Sequence, residues 1–274
     1  MVMSINTNPG AMVALQSLSA TNRQLETTQM RVTTGLKVSG PKDNAATFAI
    51  AQNMRGDIAG LGAVKTNLAL GQSITNVAID AGKAIADLLV EMKAKAVQAS
   101  QEGLDPNSYV ALNQEFTSLR AQIDSIVATA AFNGTNLISS AGAVSALKVL
   151  STVDGSTISV SAGQSIDATA LQIQSASLTN ATVAFTALQA IDTAIVSVSN
   201  ALASLGSAAN RLDIQADFTG KLQDILKQGV GNLVDADLAT ESANLQAHQI
   251  KQQLGVQALS IANAGPQAIL ALFR

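Results

Sequence analysis

Very few residues in this chain have the type and spacing to do chemistry. His248 is the single histidine and cysteine is absent. Composition alone therefore excludes a His pair, a thiol nucleophile, a disulfide and a Cys- or His-rich metal site. On its Gln-rich segment, His248 reads as a surface or interface residue. Asp237 and Glu241 stand four apart, which puts both carboxylates on one helix face. Acids so placed either hold a cation or favour the positive end of a helix dipole, and near a helix start the dipole is the better explanation. Gly229-Val230-Gly231 has the spacing of a phosphate cradle, but it lies between helical segments with no strand before it, so the dinucleotide-binding context is missing. Neither G-x-x-x-x-G-K-[ST] nor G-x-S-x-G occurs. Two N-x-[ST] sequons start at Asn133 and Asn180. These residues assemble no reaction centre, so the expectation is a protein with no enzymatic activity, cofactor or metal.

The composition points instead to packing. Only 13% of the 274 residues are charged, 47% are hydrophobic and 3% are aromatic, so the apolar content is aliphatic. A soluble domain ordinarily carries about 25% charged residues. Net charge is −3, with no basic run, which argues against a nucleic-acid partner. The opening residues lack the basic and apolar regions of a signal peptide. Ser, Asn, Gln and Gly interrupt the longest uncharged stretches, so no membrane span is expected. The deficit is uneven. Residues 1–22 contain no charge, and 242–274 contain only Lys251 and Arg274. Termini are usually polar, and ends this poor in charge are expected to be buried against something.

The elements follow from periodicity. Residues 11–36 form a heptad helix: Ala11, Leu18, Leu25 and Val32 take one seam position, Leu15 and Leu36 the other, with Asn22 and Gln29 as polar layers that fix register. Ser39-Gly40-Pro41 breaks it. A long helix over about 43–101 carries Ile50, Met54, Leu61, Leu68, Ile74, Ala78, Ala81, Ile85, Leu88 and Met92 on one stripe. Its glycines weaken a free helix and let neighbouring backbones approach. Asp105-Pro106 caps the next helix, whose seam is Leu112, Phe116, Leu119, Ile123, Ile126 and Ala130. Asn133-Gly134 is a turn. Val153-Asp154-Gly155 joins two β-branched runs in a hairpin, followed by irregular chain. From about 180 a strict 3,4 seam returns: Leu188, Ile191, Ile195, Val198, Leu202, Leu205, Ala209, Leu212 and Ala216.

The last helix, about 235–262, has two stripes. Ala243, Ala247, Ile250, Leu254, Ile261 and Ala264 form one, and Leu238, Leu245, Val256 and Leu259 lie opposite. A helix apolar on both sides is packed on both sides. One side can take the N-terminal helix. The other has no partner within the chain, so a neighbouring subunit is expected there.

These ends resemble bacterial flagellin. The resemblance rests on Ser4-Ile5-Asn6-Thr7-Asn8, Arg31–Val38, Lys42–Ala46, Ala49-Ile50-Ala51, Ala96–Ala99 and Phe132-Asn133-Gly134. It continues in Ala209-Asn210-Arg211-Leu212, Asp235–Glu241, Gln249–Gln253, Ala262-Asn263, Pro266-Gln267 and Leu272-Phe273-Arg274. The short middle resembles the alphaproteobacterial type without large outer domains. The resemblance implies a mainly α fold: a coiled-coil-like helical rod with a small β-hairpin, its termini pairing as an inner helical layer of a filament. It further implies residues 1–40 and 232–274 as the two halves of that layer, and rod helices at 41–138 and 180–231 around a variable segment, 139–179. Leu15, Leu18, Asn22, Leu25, Gln29, Val32, Leu36, Leu238, Leu245, Ile250, Leu254, Val256, Leu259, Ile261, Leu272 and Phe273 would then line the assembly interface. The implied function is a secreted structural subunit of the swimming filament, whose terminal helices fold on assembly. Its implied partners are further copies of itself, the flagellar type III export apparatus, a secretion chaperone at the C-terminal helix, and filament cap and junction proteins. A hook–filament junction protein is the nearest alternative, and a secreted coiled-coil adhesin or effector a more distant one.

Overall fold

The computed structural model describes residues 7–139 and 146–272, with side chains up to Ala264 in the last helix. The elements run α1 (Pro9–Thr34), α2 (Ala45–Ala99), α3 (Pro106–Thr129), β1 (Leu147–Leu150), β2 (Thr157–Val160), α4 (Ala181–Val234) and α5 (Leu238–Leu272). An Asn or Asp stands before each helix and accepts from its first-turn amides: Asn8 from Ala11, Asn44 from Thr47, Asp105 from Asn107, Asn180 from Val183 and Asp237 from Ala239. These residues satisfy donors that a helix start leaves orphaned. The sequon residue Asn180 thus serves as a helix cap. α1 ends at Gly35, whose φ of 72° is the left-handed turn that glycine adopts without strain. Asn133 and Gly134, both at positive φ, make the tight turn that pairs Phe132 with Thr135.

The chain divides into two compact units, Asp57–Asp224 and the pair of segments Met1–Gly56 with Ile225–Arg274. In the first, α2 and α4 run antiparallel, as shown by Lys93–Asp192 (2.6 Å) and by Gln223 Nε2 donating to the Ile58 carbonyl (3.1 Å) at opposite ends. α3 returns along α2, with Lys95–Glu115 at 2.5 Å. The core holds Leu68, Ile85, Leu89, Met92, Phe116, Ile123, Ile191 and Leu205.

The expected rod seam comes together there. Leu112, Phe116, Ile123, Ile191, Val198, Leu205 and Leu212 are buried, and Leu119, Leu188, Ile195 and Leu202 pack half-buried against them. α4 contains an 18-residue window of mean hydropathy 1.5, long and apolar enough by composition to cross a membrane. The expectation of no such stretch was too strict, but the buried face of α4 is this same seam. Ile50, assigned to the α2 stripe, is exposed, and Leu89 rather than Leu88 is fully buried. Gly229–Gly231 lies inside α4, not between helices.

β1 and β2 pair antiparallel, Leu147 with Val160 through Leu150 with Thr157. Gly60, Gly71 and Gly82 recur every eleven residues, three helical turns, and so share one face of α2. Added Cβ atoms would lie 2.5 Å from Val153, 2.6 Å from Val149 and 2.8 Å from Leu202. The first two glycines seat the hairpin and the third seats α4. The chain after the hairpin is more than polar filler. Ile166, Ala168, Leu171, Ile173 and Leu178 are buried. α3 holds this segment with Asn113 accepting from Leu178 N (2.8 Å), Asp124 accepting from Ala168 N (3.1 Å) and Arg120 donating to the Gln174 carbonyl (2.6 Å).

Candidate assembly interface

In the second unit α1 and α5 pack antiparallel. Four contacts fix their register: Asn8 Nδ2 donates to the Ala262 carbonyl (2.7 Å), Leu18 covers Gly255, Gln252 Nε2 donates to Asn22 Oδ1 (2.9 Å), and Arg31 meets Glu241 (3.0 Å). At the closed end, Lys37 N donates to the Val234 carbonyl and Ala236 N to the Gly35 carbonyl. The less exposed positions alternate by three and four on both helices. They are Ala11, Ala14, Leu18, Thr21, Leu25, Thr28 and Val32 on α1, with Ala20 and Arg31 also half-buried beside that row, and Glu241, Leu245, His248, Gln252, Gly255, Leu259 and Ala262 on α5.

Large residues on one helix stand level with small ones on the other. A Cβ on Gly255 would come within 3.1 Å of Leu18, and the same register sets Leu259 beside Ala14 and Leu245 beside Thr28. Leu18, Leu25, Val32, Leu245 and Leu259 therefore stand on the seam, as their spacing predicts. Leu15, Asn22 and Gln29 are exposed, and of the three Asn22 still makes the expected polar contact across the pair, accepting from Gln252. They sit one residue beyond Ala14, Thr21 and Thr28, on the exposed flank. Leu36 lies past the helix end, half-buried, and bridges to Asp235. Leu238 and Val256 are exposed rather than turned toward α1. The side chain of Leu272 and the whole of Phe273 lie outside the described residues. Sequence reasoning missed Ala14, Thr21, Thr28, Gln252 and Gly255, although the same 3,4 spacing marks them once small and polar residues count as seam residues.

The outer face of α5 is open. Ile250 is 58% exposed, Leu254 58% and Ile261 74%, with Ala243 and Ala247 beside them. Among the described side chains of the two helices, only Leu25, Thr28 and Glu241 are buried. A groove of about 450 Å³ lies on the pair, lined by Arg23, Thr27, Arg31, Glu241, Asn244 and His248 among others. Among the described residues, Arg31 Nε and His248 Nδ1 are buried with no hydrogen-bond partner, a cost that only a partner group would relieve. Asp237 is held below the ordinary carboxylate range, first by the Thr240 hydroxyl and then by the amides of Thr240 and Ala239. Asp237 and Glu241 are thus a cap and an ion-pair partner. No group of three or more metal-capable side chains occurs among the described residues.

Residues 5–143 match the bacterial flagellin N-terminal helical region, and 188–273 match the C-terminal helical region. The chain belongs to the flagellin family. Flagellin FljK of Caulobacter vibrioides is 48% identical over 272 residues, covering 99% of this chain and 98% of that protein. A Brucella melitensis flagellin is 38% identical over 283 residues, covering 99% of each. The crystal structure of Bacillus cereus flagellin superimposes with a TM-score of 0.51 at 25% identity, over 56% of this chain and 88% of that one. The protein is accordingly a structural subunit of the extracellular flagellar filament used in motility, and it associates with its own kind.

Proposed function

We propose that this flagellin polymerises through the α1–α5 pair, whose outward faces bury against neighbouring copies and whose order assembly completes. The observation that carries this is the one-sided packing of α5. Its seam lies on α1, while Ile250, Leu254 and Ile261 face solvent. Fully burying each such side chain is worth roughly 1.5–3 kcal/mol. The intrasubunit seam sets Leu18, Leu25, Val32, Leu245 and Leu259 among Ala, Gly, Thr and Gln positions, and of its described side chains only Leu25, Thr28 and Glu241 are buried. A pair so poorly buried is marginal alone and is stabilised when a neighbour arrives, so folding and binding are coupled. A head-to-tail contact that does not close into a ring propagates as a helix.

The resulting polymer transmits motor torque, with no catalytic step, cofactor or metal in its role. Before assembly the same apolar stripe needs cover, which supports a secretion chaperone at α5 during passage to the flagellar export apparatus. Filament cap and junction proteins complete the partners at the ends of the polymer. The test is deletion of residues 235–274. A soluble chain that keeps the helicity of the Asp57–Asp224 unit and forms no filaments under the electron microscope is expected, and filaments from that truncation would overturn the proposal.

A further inference from the structure

Charge is so scarce in the α1–α5 pair that each charged residue can be followed. The two helices contain five: Arg23, Glu26 and Arg31 on α1, and Glu241 and Lys251 on α5. Arg31 and Glu241 pair within the subunit. Arg23, Glu26 and Lys251 are exposed and take part in no ion pair among the described residues. All three lie in one band, because the register that sets Gln252 against Asn22 brings Lys251 level with Arg23. Glu26 follows within about one helical turn, roughly 5–6 Å along the axis. Apart from that band and the Arg31–Glu241 pair, the described surface of the two helices is uncharged, with Met12, Val13 and Met30 on α1 and Leu254 and Ile261 on α5.

Lys251 borders the stripe of Ala247, Ile250 and Leu254. Covering that stripe strips water from the ammonium group, which is costly unless a counter-charge meets it. Glu26 is the only carboxylate of the two helices left to do so. Arg23 has less need of a partner, since it lines the polar groove with Thr27 and Glu241. We propose that Glu26 of one copy pairs with Lys251 of a neighbouring copy, and that this contact sets the axial register of the inner layer. The proposal rests on the α1–α5 pair being the assembly unit. Apolar contact is non-directional. A slip by a few turns would leave both charges facing uncharged surface, so the pair discriminates one register from the others.

A chain without cysteine makes the test clean. Glu26→Cys and Lys251→Cys are placed together in the full chain, and assembled filaments are treated with a short bis-maleimide. A ladder of covalent multimers is expected. Normal filaments whose crosslinks are absent or confined to single chains would overturn the pairing. In parallel, Glu26→Lys and Lys251→Glu should each slow polymerisation by about tenfold or more, and the double exchange should recover most of that loss. Circular dichroism of the monomers should be unchanged throughout. Single exchanges that polymerise like the parent, or a double exchange that fails to recover, would refute the pairing and leave the assembly role of α5 intact. That role is refuted separately, by filaments from the 235–274 deletion.

Discussion

α3 and α1 are helices of similar length, 24 and 26 residues, yet they are buried very differently. α3 buries Leu112, Phe116, Ile123 and Val127 in the core of the Asp57–Asp224 unit. α1 buries only Leu25 and Thr28, and α5 only Glu241 among its described side chains. Apolar content does not explain the difference, because α1 and α5 also carry Met12, Val13, Leu15, Ile250, Leu254, Val256 and Ile261, all exposed. What differs is the number of partners. α3 packs with α2, α4 and the 161–178 segment in one core, whereas among the described residues the helix that α1 packs along is α5. One unit encloses its apolar side chains within the chain, and the other leaves them exposed.

The largest effect expected from this contrast is on the monomer. Phe116→Ala should cost about 3–5 kcal/mol of stability, through lost burial and the cavity left behind. Leu25→Ala should leave the monomer's denaturant midpoint almost unmoved and slow polymerisation instead. Midpoints that fall equally in the two variants would break the contrast. Leu254→Asp sharpens it from the other side. Each contact that α5 makes in a polymer would lose the roughly 1.5–3 kcal/mol of burying that leucine, with a buried charge added. Filament formation should fail while the monomer's circular dichroism spectrum stays the same. A smaller effect is expected where the hairpin sits on α2. Gly71→Val would push side-chain atoms into Val149 and cost about 1–3 kcal/mol. Thermal unfolding of the monomer should register that loss, with polymerisation at low temperature little altered.

The Asp57–Asp224 unit was also the more legible one. The α4 seam from Leu188 to Leu212 could be read directly, because its neighbours are all in the same chain and all its slots hold aliphatic residues. α1 was half legible. Ala11, Leu18, Leu25 and Val32 stand where their spacing puts them, but a period of 3.5 allows a step of three or four to the second position, and size favours Leu15 over Ala14. The small residue is required by Leu259 on α5, and the pattern of one helix holds no information about the residue that faces it. The 161–178 segment was illegible for a related reason. Its anchors, Asn113, Arg120 and Asp124, lie 44 to 65 residues earlier in the chain, and its Ser- and Thr-rich composition hides the buried residues Ile166, Leu171 and Ile173. The glycines at 60, 71 and 82 acquire a meaning only once the hairpin and α4 are set on them. The charge deficit at the ends was visible at once, and so was the second stripe of α5, because neither depends on knowing the partner.

The smallest effect concerns pH and the two carboxylates that hold the turns around α1 and α5. Asp43 accepts from the Ser39 hydroxyl (2.9 Å) and from the amides of Ser39 (2.9 Å) and Gly40 (3.1 Å), which lowers its pKa, the hydroxyl contributing most. Asp237 is lowered likewise at the start of α5, first by the Thr240 hydroxyl at 2.8 Å. A carboxylate whose folded pKa lies below its unfolded value contributes stability that is complete at neutral pH and lost as pH falls through the folded pKa. The affected window is therefore about pH 4 and below. Asp43 and Asp237 both belong to the α1–α5 unit, so acid should loosen that unit. Filaments titrated from pH 6 to pH 3 should release subunits before the monomer's remaining helicity melts. Asp43→Asn with Asp237→Asn keeps an acceptor at each turn and removes the titration, so it should flatten the early part of that curve. If the double variant releases subunits at the same pH as the parent, Asp43 and Asp237 are not the source of the acid sensitivity.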